Sequence, residues 1–215
     1  MGQKVNPLGF RLPISKDWQS RWFAADKTSY RQNLLEDLKI RRFLMDRLRP
    51  AGIVRVQIDR LINKMKITLF VSRPGAVIGR GGSGLKLLKS ELSQIVSMPD
   101  PDKNLELDDV VQINDAEISA YLINQRVKEQ LEKRMPYRRV VSKAIERVME
   151  SGAKGVRVVL SGRVGGAEIG RTEKFQLGKV PLQTLRADID FSSVPAFTKS
   201  GYVGIKVWVY RGEKS

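Results

Sequence analysis

The sequence has no histidine and no cysteine in 215 residues. Losing histidine removes the usual general base, the partner of a nucleophilic serine and the commonest metal ligand. Catalysis without histidine exists, but hydrolytic and metal-dependent chemistry becomes a poor expectation. Losing cysteine removes both a disulfide framework and a thiolate metal site, so no redox compartment is implied. No apolar run approaches the ~20 residues of a membrane-crossing helix. The first residues lack a signal-peptide apolar region, and Asn6 stands where a myristoylation motif wants Ser or Thr. A cytoplasmic protein with no catalytic residue, metal or cofactor is the expectation.

What the chain has in excess is positive charge. Its 39 Lys and Arg against 23 Asp and Glu give +16 and an isoelectric point near 10.2. Such a balance points to a polyanion, because each phosphate neutralised releases counterions and yields salt-sensitive affinity. A membrane surface would need a basic amphipathic helix with large apolar residues and exposed Trp, and no segment has that pattern. Nucleic acid is the better partner. With 41% hydrophobic residues the chain can form real cores, in one large or two small domains.

Residues 1–27 read as a basic arm: Gly2, Pro7, Gly9 and Pro13 break periodicity, while Lys4, Arg11, Lys16 and Arg21 decorate it. Trp18, Trp22 and Phe23 are expected as packing anchors rather than base-stacking residues. Residues 30–48 carry Leu34, Leu38, Phe43, Leu44, Met45 and Leu48 among charges, which suits an amphipathic helix ending at Pro50-Ala51-Gly52. A hairpin follows. Val54, Val56 and Ile58 alternate with polar residues, as do Ile67, Leu69 and Val71, with the turn at Leu61–Lys64.

Between that hairpin and the next helix lies Arg73-Pro-Gly-Ala-Val-Ile-Gly-Arg-Gly-Gly82. Within it, Gly79-Arg80-Gly81-Gly82 has the spacing of the GXXG loop by which KH domains hold single-stranded nucleic acid. Glycines let the sugar-phosphate backbone approach, the helix N-terminus presents free N–H groups, and Arg80 adds charge. Leu85, Leu88, Leu92 and Ile95 recur at helical spacing behind Ser83, a natural N-cap. A short strand, Val110–Ile113, comes after the turn Pro99-Asp100-Pro101-Asp102. The order helix, strand, strand, loop-helix, strand matches the type II KH arrangement.

The same glycines also fit the dinucleotide fingerprint, since Gly79, Gly81 and Gly84 stand at G-x-G-x-x-G spacing. Against that, Pro74 and several residues separate the strand from the first glycine, and the strand belongs to a hairpin. A Walker loop fails because Leu85, not Lys, follows Gly84.

Residues 104–125 contain no Lys or Arg, and this acidic interval is the expected domain boundary. The division is then an arm over 1–27, a KH domain over 28–114 and an α+β domain over 115–212. Residues 1–106 hold 20 basic and 10 acidic side chains, leaving 19 and 13 beyond, so both halves are expected to touch nucleic acid. In the second half Ile118, Leu122, Ile123, Val127 and Leu131 form a helical stripe. Pro136 breaks it, and a second run reaches Gly152. Strands are expected around Val156–Leu160, Leu185–Phe191 and Ile205–Val209. Two helices on one face of a small sheet is the economical α+β architecture.

Two further stretches carry charge. On the second helix Arg139, Lys143 and Arg147 share one side, with Arg138 at its margin in the first turn, and Val140, Val141, Ala144, Ile145 and Val148 cover the other. Cations about 6 Å apart suit the phosphates of a passing single strand. An ordinary solvated face, with Glu146 as partner, explains the row equally well. Ser161–Lys174 mixes four glycines with Arg163, Arg171 and Lys174. It reads either as a bulged edge strand or as backbone that approaches RNA closely.

Five segments taken in order resemble the bacterial small-subunit ribosomal protein S-three family. They are Met1–Pro7, Arg73–Gly82, Ser161–Glu173, Val180–Asp190 and Gly204–Trp208, and the similarity runs from residue 1 to about 212. The resemblance implies a type II KH domain and a C-terminal α+β domain bound to 16S ribosomal RNA in the head of the small subunit. It implies a place at the channel by which mRNA enters, beside proteins four and five, with proteins ten and fourteen as neighbours in the head. In that family a basic helix patch is tied to unwinding incoming mRNA without ATP. Arg138 and Arg139 match its first two positions, whereas Ser142 stands where Lys is usual, with Lys143 next. The resemblance also makes Lys4, Arg11, Arg163, Arg171 and Lys174 candidates for ribosomal RNA contact. Asn6 and Gln183 occupy positions where many relatives have His, and the tail beyond Arg211 is short.

Overall fold

The structure is a computed structural model and describes residues 4–12, 14–61, 64–96, 104–107 and 109–213. The chain divides into two compact units, residues 18–114 and residues 4–17 with 115–213. In chain order the first is therefore an insertion within the second. The one-turn helix α1 (Pro7–Phe10) belongs to the outer unit.

The inserted unit begins with β1 (Ser20–Arg21) and the long helix α2 (Lys27–Arg47). Pro50 and Gly52, the latter at φ 69°, turn the chain into the antiparallel pair β2 (Ile53–Arg60) and β3 (Met65–Val71). Next come α3 (Pro74–Ile78), α4 (Ser83–Ser93), β4 (Leu105–Glu106) and β5 (Val110–Gln112). β1 pairs in parallel with β2, and β4 and β5 each pair in parallel with β3. Ile40 and Leu44 of α2, Val56, Ile58, Ile67, Leu69 and Val71 of the sheet, and Leu88 and Leu92 of α4 form one buried core. This is the type II KH order, with α3 as a helix the sequence pattern does not announce.

Three expectations need correction here. The buried side of α2 is not the one that Leu34 and Leu38 mark: these are 41% and 43% exposed, and Asp37 is buried. The cause is a polar cluster. Asp37 accepts from the Trp22 indole at 2.8 Å, from Arg60 Nη2 at 2.6 Å and from the Ser20 hydroxyl at 3.2 Å. In addition, a bulge between Ile53 and Arg55 puts Ile53 in the core and leaves Val54 half-buried. Finally, α4 is capped by Gly82 at φ 77°, and Ser83 is its first residue. The expected turns at 62–63 and 99–102 lie outside the described residues.

The outer unit is a four-stranded antiparallel sheet of order β7-β6-β9-β8, formed by β6 (Gly155–Gly162), β7 (Arg171–Gly178), β8 (Ala187–Thr198) and β9 (Gly201–Glu213). Helices α5 (Ala120–Glu132) and α6 (Tyr137–Glu150) share a single core with one face of it, through Val127, Val141, Val148, Val158, Ile205 and Val207 among others. Each such apolar side chain, once fully buried, contributes about 1.5–3 kcal/mol. Ile118 precedes α5 in a 3-10 turn, and Asn124 joins the core, donating to Ser192 at 3.2 Å. Leu185 falls short of β8. The glycine-rich stretch resolves into a turn and the edge strand β7, in unbroken register from Gly155↔Gly178 to Gly162↔Arg171.

On the opposite face of this sheet, Ala187, Ile189 and Tyr210 are covered by Val180 and Leu182. Arg11 closes that side. Its side chain is completely buried and donates to the carbonyls of Pro7, Pro181, Leu182, Thr184 and Ala187, and Lys16 pairs with Asp188 at 2.6 Å. Burial lowers the Arg11 pKa, opposed by the charge of Asp188. Arg11, expected to contact RNA from a free arm, is instead an internal pin, because five otherwise orphaned carbonyls need its fork of donors.

Candidate nucleic-acid interface

The GXXG loop is an open turn between two helices. Pro74 starts α3, and Gly79, at φ 70°, ends it; Gly81 and Gly82 have φ 60° and 77°. Only glycine adopts this succession without strain. Gly79, Arg80 and Gly81 are exposed. No side chain caps α4, so its first N–H groups face outward for an anion. Gly84 has a different task. A Cβ there would sit 2.4 Å from the Val77 carbonyl oxygen, so this glycine lets α3 and α4 meet. With α3 standing between β3 and the first glycine, the tight strand-to-helix turn of a dinucleotide site is absent.

In the outer unit, α6 buries Val140, Val141, Ala144, Ile145 and Val148 and exposes Arg138, Arg139, Ser142, Lys143 and Arg147. Arg139, Lys143 and Arg147 form one row; Arg138 and Ser142 form the next. Glu117 bears on the far end of the first row. Its carboxyl pKa is lowered chiefly by hydrogen bonding to Arg126, with the charges of Arg126 and Arg147 adding to the effect.

At the other end Tyr137 gathers groups from two elements. Its hydroxyl donates to Glu173 at 2.9 Å and accepts from Arg171 at 3.1 Å and Arg138 at 3.2 Å. Arg171 also pairs with Glu173 at 3.0 Å. The hydrogen bond to Tyr137, followed by the charges of Tyr137 and Glu173, raises the Arg138 pKa. Two cations and one carboxylate leave a net positive charge, held by a rigid ring instead of by flexible stems. Tyr137 and Glu173 are the functional residues that sequence reasoning missed. The signal available was slight: an aromatic at the first helical position after Pro136, and a Glu in phase with Arg171 on an alternating strand.

The remaining candidates scatter. Arg163 donates to the Ala167 carbonyl at 2.8 Å beside the turn Val164–Gly166. Lys174 is exposed and, one step out of phase with Arg171 and Glu173, lies on the opposite face of β7. Lys4 is exposed. Among the described residues no acidic cluster that could hold a metal ion occurs, and no helix is long and apolar enough to cross a membrane.

An uncapped GXXG turn on a type II KH fold, joined in sequence to a second basic α+β unit, defines a KH-type RNA-binding protein. The family described as KH domain matches residues 39–120, and that described as Ribosomal protein S3, C-terminal domain matches residues 127–209. Small ribosomal subunit protein uS3 of Clostridioides difficile (strain 630) is 47% identical over 213 residues, 99% of this chain and 76% of that protein. Proteins of the same name from Caldicellulosiruptor saccharolyticus and Clostridium tetani are each 46% identical over 99% of this chain, and 93% and 94% of their own length is covered. The chain belongs to the ribosomal protein uS3 family.

Proposed function

We propose that this protein is a non-enzymatic constituent of the small ribosomal subunit that binds 16S ribosomal RNA in the head and presents α6 to mRNA where it enters. The relatives' shared name supports the subunit. The observation that carries the mRNA role is the arrangement around Tyr137: Arg138 and Arg171 are fixed at the start of a helix whose exposed rows then carry Arg139, Lys143 and Arg147. A preset line of cations favours a single strand over a duplex whose phosphates diverge from it, so it biases opening without ATP. Ribosomal RNA contact is assigned to Lys4, Arg163, Arg171 and Lys174, and the GXXG loop of Gly79, Arg80, Gly81 and Gly82 is a second strand-binding site. Proteins four and five beside the channel, and ten and fourteen in the head, are the proposed neighbours. The exposed apolar residues of α2, Leu34, Leu35 and Leu38, together with Phe23 at 92% exposure, support protein docking on the KH unit.

The test is translation by small subunits carrying R138A/R139A. They are expected to assemble at normal yield and sediment with the full protein set, yet to slow on an mRNA with a stable hairpin and not on an unstructured one. Equal speed on both messages would remove the unwinding role. Absence of the wild-type chain from salt-washed small subunits would remove the ribosomal one.

A further inference from the structure

A cavity of about 360 Å³ opens in the outer unit beside the Tyr137 cluster. Its floor is apolar, made by Leu131, Leu160, Val164 and Val203, and the Tyr137 ring forms one wall. Arg134, Arg163 and Lys199 stand at its lining, with no carboxylate among them. That volume lies at the lower end of the roughly 300–1,000 Å³ typical of small-ligand sites, enough for one nucleotide.

The backbone at Arg134 is the second observation. Helix α5 ends in a paired cap: the Arg134 N–H bonds to the Leu131 carbonyl at 2.9 Å and the Met135 N–H to the Gln130 carbonyl at 3.1 Å. Such a cap requires a left-handed residue between the two, and glycine normally supplies it. Here the residue is Arg134, at φ 58°, the one non-glycine residue with positive φ among the described residues. An unfavourable conformation is thus kept where it places a guanidinium at the cavity. By contrast the facing turn does use glycine. Gly165 and Gly166 have φ 70° and 84°, and a Cβ on Gly165 would lie 3.1 Å from the Tyr137 ring.

We propose that this cavity takes a single unstacked nucleotide of an RNA strand, its base on the apolar floor against Tyr137 and its phosphate at Arg134 and Lys199. The proposal rests on the reading of this protein as one that binds RNA. An apolar floor suits a base face, the rim suits an anion, and the Arg138 and Arg171 guanidiniums bonded to the Tyr137 hydroxyl lie where the strand would continue.

The experiment compares the full-length protein's affinity for decauridylate with that for an abasic phosphodiester of equal length. Wild type is expected to prefer the base-bearing strand about tenfold, the order of one stacked base. S200W, which fills the cavity, is expected to lose the preference while still binding both strands through charge. R134G is expected to melt no lower than wild type, since glycine relieves the left-handed backbone, and yet to lose most of the preference. Wild type binding neither strand would overturn the RNA reading itself. Wild type binding both equally, or R134G and S200W keeping the preference, would overturn the cavity alone.

Messenger and ribosomal strands share this chemistry, and photocrosslinking separates them. Small subunits assembled with 4-thiouridine in their ribosomal RNA are compared with unlabelled subunits given 4-thiouridine mRNA. Crosslinks to the tryptic peptides Met135–Arg138 or Val164–Arg171 from one label support the site and identify its source. Crosslinks from neither overturn it.

Discussion

Arg11 and Gly84 show how one residue can fix a unit. Truncating Arg11 leaves five carbonyls facing each other in a dry space. R11A is expected to destabilise the outer unit by about 3 kcal/mol, measured as a shift in its urea midpoint, with faster amide exchange in 187–213 and unchanged exchange in 53–71. Gly84 and Gly81 are near neighbours with unlike roles. G84A drives a methyl into the Val77 carbonyl and should cost about 1–3 kcal/mol. G81A meets open space and carries only the left-handed penalty of about 1 kcal/mol. Equal costs in urea titrations would contradict this division. The glycine spacing was plain in the sequence; which glycine serves packing was not, because a carbonyl's approach depends on a helix, α3, that five residues hardly signal. Nor did composition separate Arg11 from Lys4: both are basic residues among helix breakers, and only the position of β8 decides which is buried.

At the scale of elements, α6 was legible because its apolar and charged positions segregate cleanly at helical period, while α2 misled. A stripe drawn through its leucines loses to Asp37, whose partners Trp22, Ser20 and Arg60 come from other elements and leave no trace in α2 itself. The two charged rows of α6 differ in one position. Arg138 has Ser142 one turn on, whereas Arg139 has Lys143. Removing the charge of Arg138 is expected to lower the slope of log affinity against log salt for single-stranded RNA by about 0.7, and S142K to raise it by as much. An unchanged slope in both would detach this row from the strand.

The far end of α6 has its own pH signature. Glu117 has a lowered pKa in the folded state, so the stability its pair with Arg126 provides is fully present above the ordinary value of 4.5 and is lost as pH falls below it. Wild type should therefore lose melting temperature faster than E117Q between about pH 6 and about pH 3. Parallel melting curves would show that the pair contributes nothing, as is common for exposed ions.

For the whole molecule, the sequence marked the acidic interval where the chain passes from one unit to the other, and it marked α+β content in both. It could not mark the return of residues 4–17 to the outer unit, since that depends on atoms of β8 and of the loop before it. This nesting has a consequence in time. Arg11 and the Ala187 carbonyl it grips are 176 residues apart. At roughly 5–20 residues per second a ribosome takes about 10–35 s to make the interval between them. The inserted KH unit is complete long before then. So each new copy carries its earliest-made segment without its final contacts through most of its own synthesis, and the first stretch to emerge is among the last to be fixed.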